Sequence, residues 1–333
     1  MKRIILIMLS ALSLWACDKH HKKTDAEKMH LKGKVKSVKQ TTYKAVEKFG
    51  QVERGSESGF NNDNFYVVFN EEGNRIEVIR YNAKGDIDAK WVHAYDRKGN
   101  QIRVVDYRLD GNTDRKLTLA YDEKGNSIEG VRCNSEGNID GKWAYAYDEK
   151  GNCIEEVRYN SEGNIDRKSI LVYGEKGNCI NRVRYNAEGS VEEKLTLAYD
   201  DKGNRIESVF YNSNDSIYSK RTCAYDAKGN LIEKVWYNSE DSIDVKSTYI
   251  YDEKGNVRTE VWYDSRGSMA RRNIYDYDYE GNQIQVDYYN SEGKFYKETY
   301  TYEYDTHDNW IKKITYKNDK AESIAEREIV YYE

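Results

Sequence analysis

The sequence predicts an all-β fold: an elongated array of antiparallel β-hairpins made of two-stranded, 26-residue units, arranged as an open meander, a solenoid or a shell. Three observations predict it. First, an aromatic residue recurs at a constant step of 26, at Phe69, Tyr95, Tyr121, Tyr147, Tyr173, Tyr199, Tyr225, Tyr251 and Tyr277, and a degraded copy starts one residue late at Tyr304. A fixed period of this size marks a repeat array, overriding the two-domain expectation for 333 residues. Second, each unit carries two turn signals half a repeat apart, as in Tyr121-Asp-Glu-Lys-Gly-Asn126 and Cys133-Asn-Ser-Glu-Gly-Asn138. Third, the segments between turns hold about eight residues rich in Val, Ile, Thr, Tyr and Trp, without a sustained 3.6-residue period.

Composition fits this class. Hydrophobic content is only 38%, yet the chain has 31 Tyr and no Pro. Tyr supplies apolar area with a polar tip, which suits a sheet wetted on both faces. Absence of Pro leaves every backbone N–H available to a ladder. Ten units imply about 20 strands, and a sheet about 100 Å long at roughly 4.8 Å per strand.

The chain divides into a leader (1–16), a tether (17–30), an N-terminal β cap (31–68) and the array (69–333). Met1-Lys-Arg3 is a basic start, and Ile4 to Trp15 is an apolar run too short to span a bilayer. It ends at Leu14-Trp-Ala-Cys17, which resembles a bacterial lipobox and implies lipidation of Cys17; an ordinary secretory signal is the plainer alternative. Asp18 to His30 is charged and aperiodic and reads as a flexible tether. Leu31 to Lys39 alternates as a strand, Phe49 to Asn64 reads as a loop, and Phe65 to Phe69 leads into the first copy. A repeat array needs an atypical end unit, because its edges are otherwise unpaired.

The columns of the repeat are under different constraints. Asp first and Gly fourth in Asp-Glu-Lys-Gly-Asn predict a type I turn followed by a residue with positive φ. The Val column (Val105, Val131, Val157) and the Tyr column (Tyr107, Tyr159, Tyr185) share a face, whereas the Ile column (Ile102, Ile128, Ile154) falls on the other parity. Either a bulge intervenes or both faces carry apolar cover. Lys142, Lys168 and Lys246 are placed to oppose Glu129, Glu155 and Glu233 directly across a hairpin with a four-residue loop, a pairing that helps fix register.

One column drifts. Eleven residues after the lead aromatic it reads Arg132, Arg158 and Arg184, then Phe210, Trp236, Trp262 and Tyr288. A basic strip thereby becomes an aromatic one: a candidate binding strip for sugar rings or an apolar partner, against the bland reading that bulky residues cover a thin sheet. Other chemistry is sparse. Histidines 20, 21, 30, 93 and 307 are scattered, the Asp-rich turns lack the alternating ligands of a calcium loop, and no metal site, cofactor or catalytic residue is expected. Cys153 and Cys179 sit in one column two strands apart, too far to pair, and Cys133 and Cys223 read likewise as structural thiols. The formal charge is -5, with both signs interspersed, which argues against nucleic acid.

The Tyr-Asp-x-x-Gly-Asn pattern, over residues 69 to about 310, resembles the YD repeats of the RHS family. The resemblance implies β-rich shells or extended sheets on exported proteins, with carbohydrate binding often proposed. The Pro-containing core boundary and any C-terminal toxin domain of that family have no counterpart here, so a toxin role does not carry over. Lipobox and array together resemble repeat lipoproteins of the Bacteroidota. The expectation is a non-enzymatic lipoprotein, anchored by its N-terminal lipid at the bacterial outer membrane, whose sheet binds a glycan or an envelope protein. The alternative is a spacer without a specific ligand. Repeats spread identical residues evenly instead of converging unlike ones in a pocket, which disfavours an enzyme.

Overall fold

The computed structural model describes residues 23–58, 64–108, 110–293 and 295–333. Cys17 and the leader lie outside them. One short helix, α1 (Asp25–Lys28), precedes the strands β1 (Val35–Lys48), β2 (Gln51–Glu57), β3 (Phe65–Phe69), β4 (Arg75–Tyr81), β5 (Ile87–Tyr95), β6 (Gln101–Tyr107), β7 (Thr113–Tyr121), β8 (Ser127–Cys133), β9 (Ile139–Tyr147), β10 (Cys153–Tyr159), β11 (Ile165–Tyr173) and β12 (Cys179–Tyr185). They continue as β13 (Val191–Tyr199), β14 (Arg205–Asn212), β15 (Ile217–Tyr225), β16 (Leu231–Tyr237), β17 (Ile243–Tyr251), β18 (Val257–Tyr263), β19 (Met269–Tyr277), β20 (Gln283–Asn290), β21 (Phe295–Tyr304), β22 (Trp310–Lys317) and β23 (Lys320–Tyr331).

The hairpins form as the turn chemistry demands. Asp148 N–H donates to the Asn152 carbonyl, Gly151 N–H donates to the Asp148 carbonyl, and Gly151 sits at φ +86. The Asp148 carboxylate accepts from both the backbone N–H and the side-chain amide of Asn152, each at 2.8 Å. The lead Tyr ties neighbouring units together: Tyr147 Oη donates to the Ser127 carbonyl, and the same reach of 20 residues recurs at Tyr121, Tyr173, Tyr199 and Tyr225. The Tyr-Asp-x-x-Gly-Asn motif is therefore architectural: its Tyr, Asp, Gly and Asn each have a hydrogen-bonding or backbone task.

The array is not open. From β3 to β23 each strand pairs with the next, and β1 then pairs with both β23 and β3, so all strands except β2 form one closed ring of 22. This corrects the expected open meander, solenoid or shell. A twisted sheet of this length curls, and a strand that can hydrogen-bond on both edges completes it. Val38 of β1 opposes Val67 on one side and Ile329 on the other. The segment expected to be a terminal cap thus supplies the closing strand, and β2 folds back along the part of β1 that projects beyond β3. Part of the expected tether is ordered too. Thr24 and Glu27 form a capping box for α1, and buried Ala26 and Leu31 pack with Val35, Val38, Val67 and Phe69 at the seam.

Ring geometry follows from register. Val68 opposes Glu77, which opposes Val92, so crossing two strands advances 24 residues in a chain whose repeat is 26. Followed round the ring, this slide accumulates to a shear of about 24 for 22 strands, which corresponds to a strand tilt of about 37° and a backbone diameter of about 42 Å. Strands coil with one hand only, so the direction of slide fixes the inward face. It carries Trp143, Tyr145, Tyr147, Glu156 and Arg158; Lys142, Ala144, Glu155, Val157 and Tyr159 face outward. Burial agrees. Most buried polar residues of the repeats (His93, Ser169, Glu193, Ser208, Ser247 and Asn273) lie on the inward face, where side chains crowd, whereas Ser37 and the valines Val157, Val209 and Val235 are buried on the outward face. The ring is hollow. Strands pack chiefly on their ring neighbours.

Bulges answer the parity question. Ala120 opposes Glu129 and Tyr121 opposes Ser127, leaving Ile128 as the extra residue. At the opposite rim Asp140 is extra between Gly141 and Ile139. The predicted Lys–Glu pairs form, but diagonally. Lys168 opposes Val157, Glu155 opposes Ile170, and the Lys168–Glu155 ion pair measures 2.8 Å. The loop holds three residues instead of four, and the following bulge shifts the register. Equivalent pairs on the outer wall are Lys142–Glu129 at 2.8 Å and Lys246–Glu233 at 2.6 Å.

Candidate functional site: the inner wall

All seven residues of the drifting column lie on the inward face, so the candidate strip lines the lumen. Its basic half is already neutralised. Arg132 pairs with Asp140 at 2.8 Å, Arg158 with Glu156 at 3.4 Å, and Arg184 with Glu192 at 2.9 Å and Glu193 at 3.2 Å. The acids at Asp140 and Glu192 are bulge residues, which is how a carboxylate from the neighbouring strand reaches the same face. Tyr218 donates to Glu193 at 2.5 Å, and burial reinforced by that carboxylate pushes the Tyr218 hydroxyl up to about 12.

The aromatic half is brought together in part. Trp236 and Trp262 stack at 5.5 Å with an interplanar angle of 21°. Cations lie against both rings: Lys234 and Arg221 are 4.6 and 5.6 Å from the Trp236 ring, and Arg271 is 5.2 Å from the Trp262 ring. Burial lowers the affinity of Lys234 for its proton, and the neighbouring Arg221 adds to the effect. Phe210 touches Tyr218 at 6.0 Å, and Tyr288 stacks on Tyr296 at 4.4 Å.

Sequence reasoning missed the cross-strand partners that turn this column into a surface. Inward residues of β21 to β23 add Glu298, Tyr300, Tyr302, Trp310, Lys313 and Arg327. Lys313 lies 4.2 Å from the Tyr300 ring, and Arg327 lies 3.5 Å from the Trp310 ring while donating to Gln40 at 2.9 Å. Burial pushes the Arg327 guanidinium down to about 10 and the Tyr302 hydroxyl up to about 12. Parity carried the missing signal, since residues opposite the drifting column across each hairpin must share its face.

Five buried polar atoms on this wall lack a hydrogen-bond partner among the described residues: Thr42 Oγ1, Arg182 Nε, Arg221 Nε, Trp262 Nε1 and Asn273 Oδ1. Among the described residues, no group of His, Cys, Asp and Glu is arranged to hold a metal, and no disulfide joins Cys133, Cys153, Cys179 and Cys223.

Fold and wall together define a hollow, closed β-barrel of repeats with an aromatic and charged interior. No protein-family model matches the chain, and no curated protein is similar to it. Among solved structures it is similar to TcdB2-TccC3, with 14% identity over 78% of this chain and a TM-score of 0.32; this chain spans 20% of that one. It is also similar to a porin-like protein from Bacteroides uniformis (9% identity, 90% of this chain and 99% of that one, TM-score 0.32). A porin-like protein from Bacteroides vulgatus gives 12% identity, coverage of 90% and 98%, and a TM-score of 0.26.

Proposed function

We propose that this chain is a lipid-anchored protein of the bacterial envelope whose barrel is a chamber that binds glycan on its inner wall, without catalysing a reaction. The observation that carries the reading is the inward strip itself. Stacked Trp236 and Trp262 run on to the Tyr288–Tyr296 pair within a hollow wall, and sugar rings stack on aromatic faces of this kind. The leader with Cys17 supports the anchor. The outer wall supports attachment to a membrane over insertion into it. Strands of seven or nine residues rise only about 18 to 24 Å at this tilt, and Lys–Glu pairs recur along the outer face, where lipid would need an apolar band.

Two experiments test the two parts. Radiolabelled palmitate should enter the wild-type protein in cells and not Cys17→Ser; equal labelling of both removes the anchor. A glycan array should give hits with the mature protein that weaken in Trp236→Ala plus Trp262→Ala. An array without hits leaves the spacer reading in its place, and the cations already lying against the two Trp rings are the observation that favours it.

A further inference from the structure

We propose that β18 to β21 form a subsite for a neutral saccharide, selective against acidic sugars. The inference rests on the reading of the barrel as a glycan-binding chamber and names the ligand class and the residues. Here the repeat breaks down, and unlike residues converge on the inner wall. Register sets Glu260, Asn273, Tyr288 and Tyr296 side by side across four strands, with Tyr275, Val286 and Glu298 in the adjacent row. Val286 is fully buried and sits on the ladder between Tyr275 and Glu298.

The polar groups make two clusters. Glu260 Oε2 accepts from Tyr275 Oη at 3.2 Å and from Asn273 Nδ2 at 3.4 Å, and the same Asn273 amide lies 3.0 Å from Tyr275 Oη. Glu298 Oε2 accepts from Tyr300 Oη at 2.7 Å and Tyr288 Oη at 3.4 Å. In both glutamates these bonds use one carboxylate oxygen and leave Oε1 available as an acceptor. Asn273 is only 6% exposed, yet its Oδ1 has no donor, and Trp262 Nε1, diagonally across the hairpin, has no acceptor. An unmet acceptor beside an unmet donor matches a hydroxyl, which gives one hydrogen bond and takes one. Each buried unmet group costs about 1–3 kcal/mol, which a ligand hydroxyl would recover. Tyr296, 37% exposed, stacks on Tyr288, and Lys317 lies 4.7 Å from the same ring.

Charge sets the class. Neither Glu260 nor Glu298 is held in an ion pair among the described residues, whereas the acids beside Arg132, Arg158 and Arg184 are. Lys317 opposes Glu298 on the ladder, yet neither carboxylate is engaged in an ion pair, so both disfavour a uronate or sulfate and accept from neutral hydroxyls. The neighbouring cations Arg271, Lys313 and Lys317 are spread over the Trp262, Tyr300 and Tyr296 rings.

The test is calorimetric titration of the mature full-length protein with neutral hexasaccharides (cello-, xylo-, manno- and malto-series) and with oligogalacturonate as the acidic probe. The expected result is binding of at least one neutral series at least tenfold tighter than the acidic probe. Asn273→Ala and Glu298→Gln should each weaken it at least tenfold, with unfolding temperatures near wild type. If a variant unfolds, Tyr288→Phe, which removes one hydroxyl and keeps the ring, replaces it with the same expected direction. Tighter binding of the acidic probe overturns the proposal. So does neutral binding that survives these changes but is lost in Trp236→Ala, a result that keeps the chamber and relocates the site. Absence of binding to every probe overturns the chamber reading and the subsite together.

Discussion

Replacing Phe69 by Ala should open the barrel at its seam. Phe69 occupies the lead position of the first repeat, but unlike the Tyr residues elsewhere in that column it is fully buried. It packs with Ala26, Leu31, Val35, Val38 and Val67, so a single ring joins α1, β1 and β3, and its carbonyl accepts from Tyr332 Oη at 2.6 Å. Truncating a fully buried Phe costs about 3–5 kcal/mol, because the cavity adds to the lost transfer energy. The equivalent change in an interior repeat, Tyr147→Phe, keeps the ring and removes only the hydrogen bond to Ser127, about 1 kcal/mol. Urea titration followed by circular dichroism gives both values. Hydrogen exchange then locates the damage: amides of residues 35–42 should lose protection first in Phe69→Ala, whereas Tyr147→Phe should act around residues 127–147. A loss for Phe69→Ala no larger than for Tyr147→Phe, or exchange that rises evenly round the ring, refutes the reasoning.

Three further outcomes are expected. Gly151→Ala should cost about 1–2 kcal/mol from the positive φ alone, since its Cβ would meet nothing closer than 3.9 Å, whereas Gly130→Ala should cost more and shift Trp143 fluorescence, because that Cβ would lie 2.2 Å from the indole. A double-mutant cycle on Glu155 and Lys168 should give a coupling below about 1 kcal/mol that shrinks with salt, as fits a half-exposed pair. Acid should destabilise the turns. Asp96, Asp122, Asp148, Asp200, Asp226 and Asp252 are each held below the ordinary carboxylate range, chiefly by the side-chain amide four residues on. A depressed folded pKa gives stability that is present above the unfolded value of 3.8 and lost as pH falls below it, so the urea midpoint should be flat down to about pH 5 and drop below pH 4.

The local elements were legible because their causes are local. Asp148 and Gly151 specify their turn within five residues, and the Val157 and Tyr159 columns declare a shared face by alternation. The Ile128 bulge was visible only as a parity conflict, since sequence spacing does not say which strand absorbs the extra residue. Closure was illegible for a different reason. It depends on Val38 finding Ile329 some 290 residues away, and nothing in the repeat records whether accumulated twist brings the ends together. The diagonal setting of Lys168 and Glu155 was missed through one residue of loop length, enough to slide a pair by a full alternation. For the candidate site, the drift from Arg184 to Trp236 was readable from the period. The partners Asn273, Glu260 and Glu298 were not, because they belong to neighbouring strands and to the part of the chain where the repeat decays.

Small-angle scattering on the mature protein tests the closed ring most directly. A barrel about 42 Å across its backbone, with its longest strands tilted, predicts a maximum dimension near 65 Å and the distance distribution of a hollow cylinder. A maximum dimension above about 100 Å, with the profile of a flat ribbon, would contradict closure by β1 and with it the chamber on which the functional proposal depends.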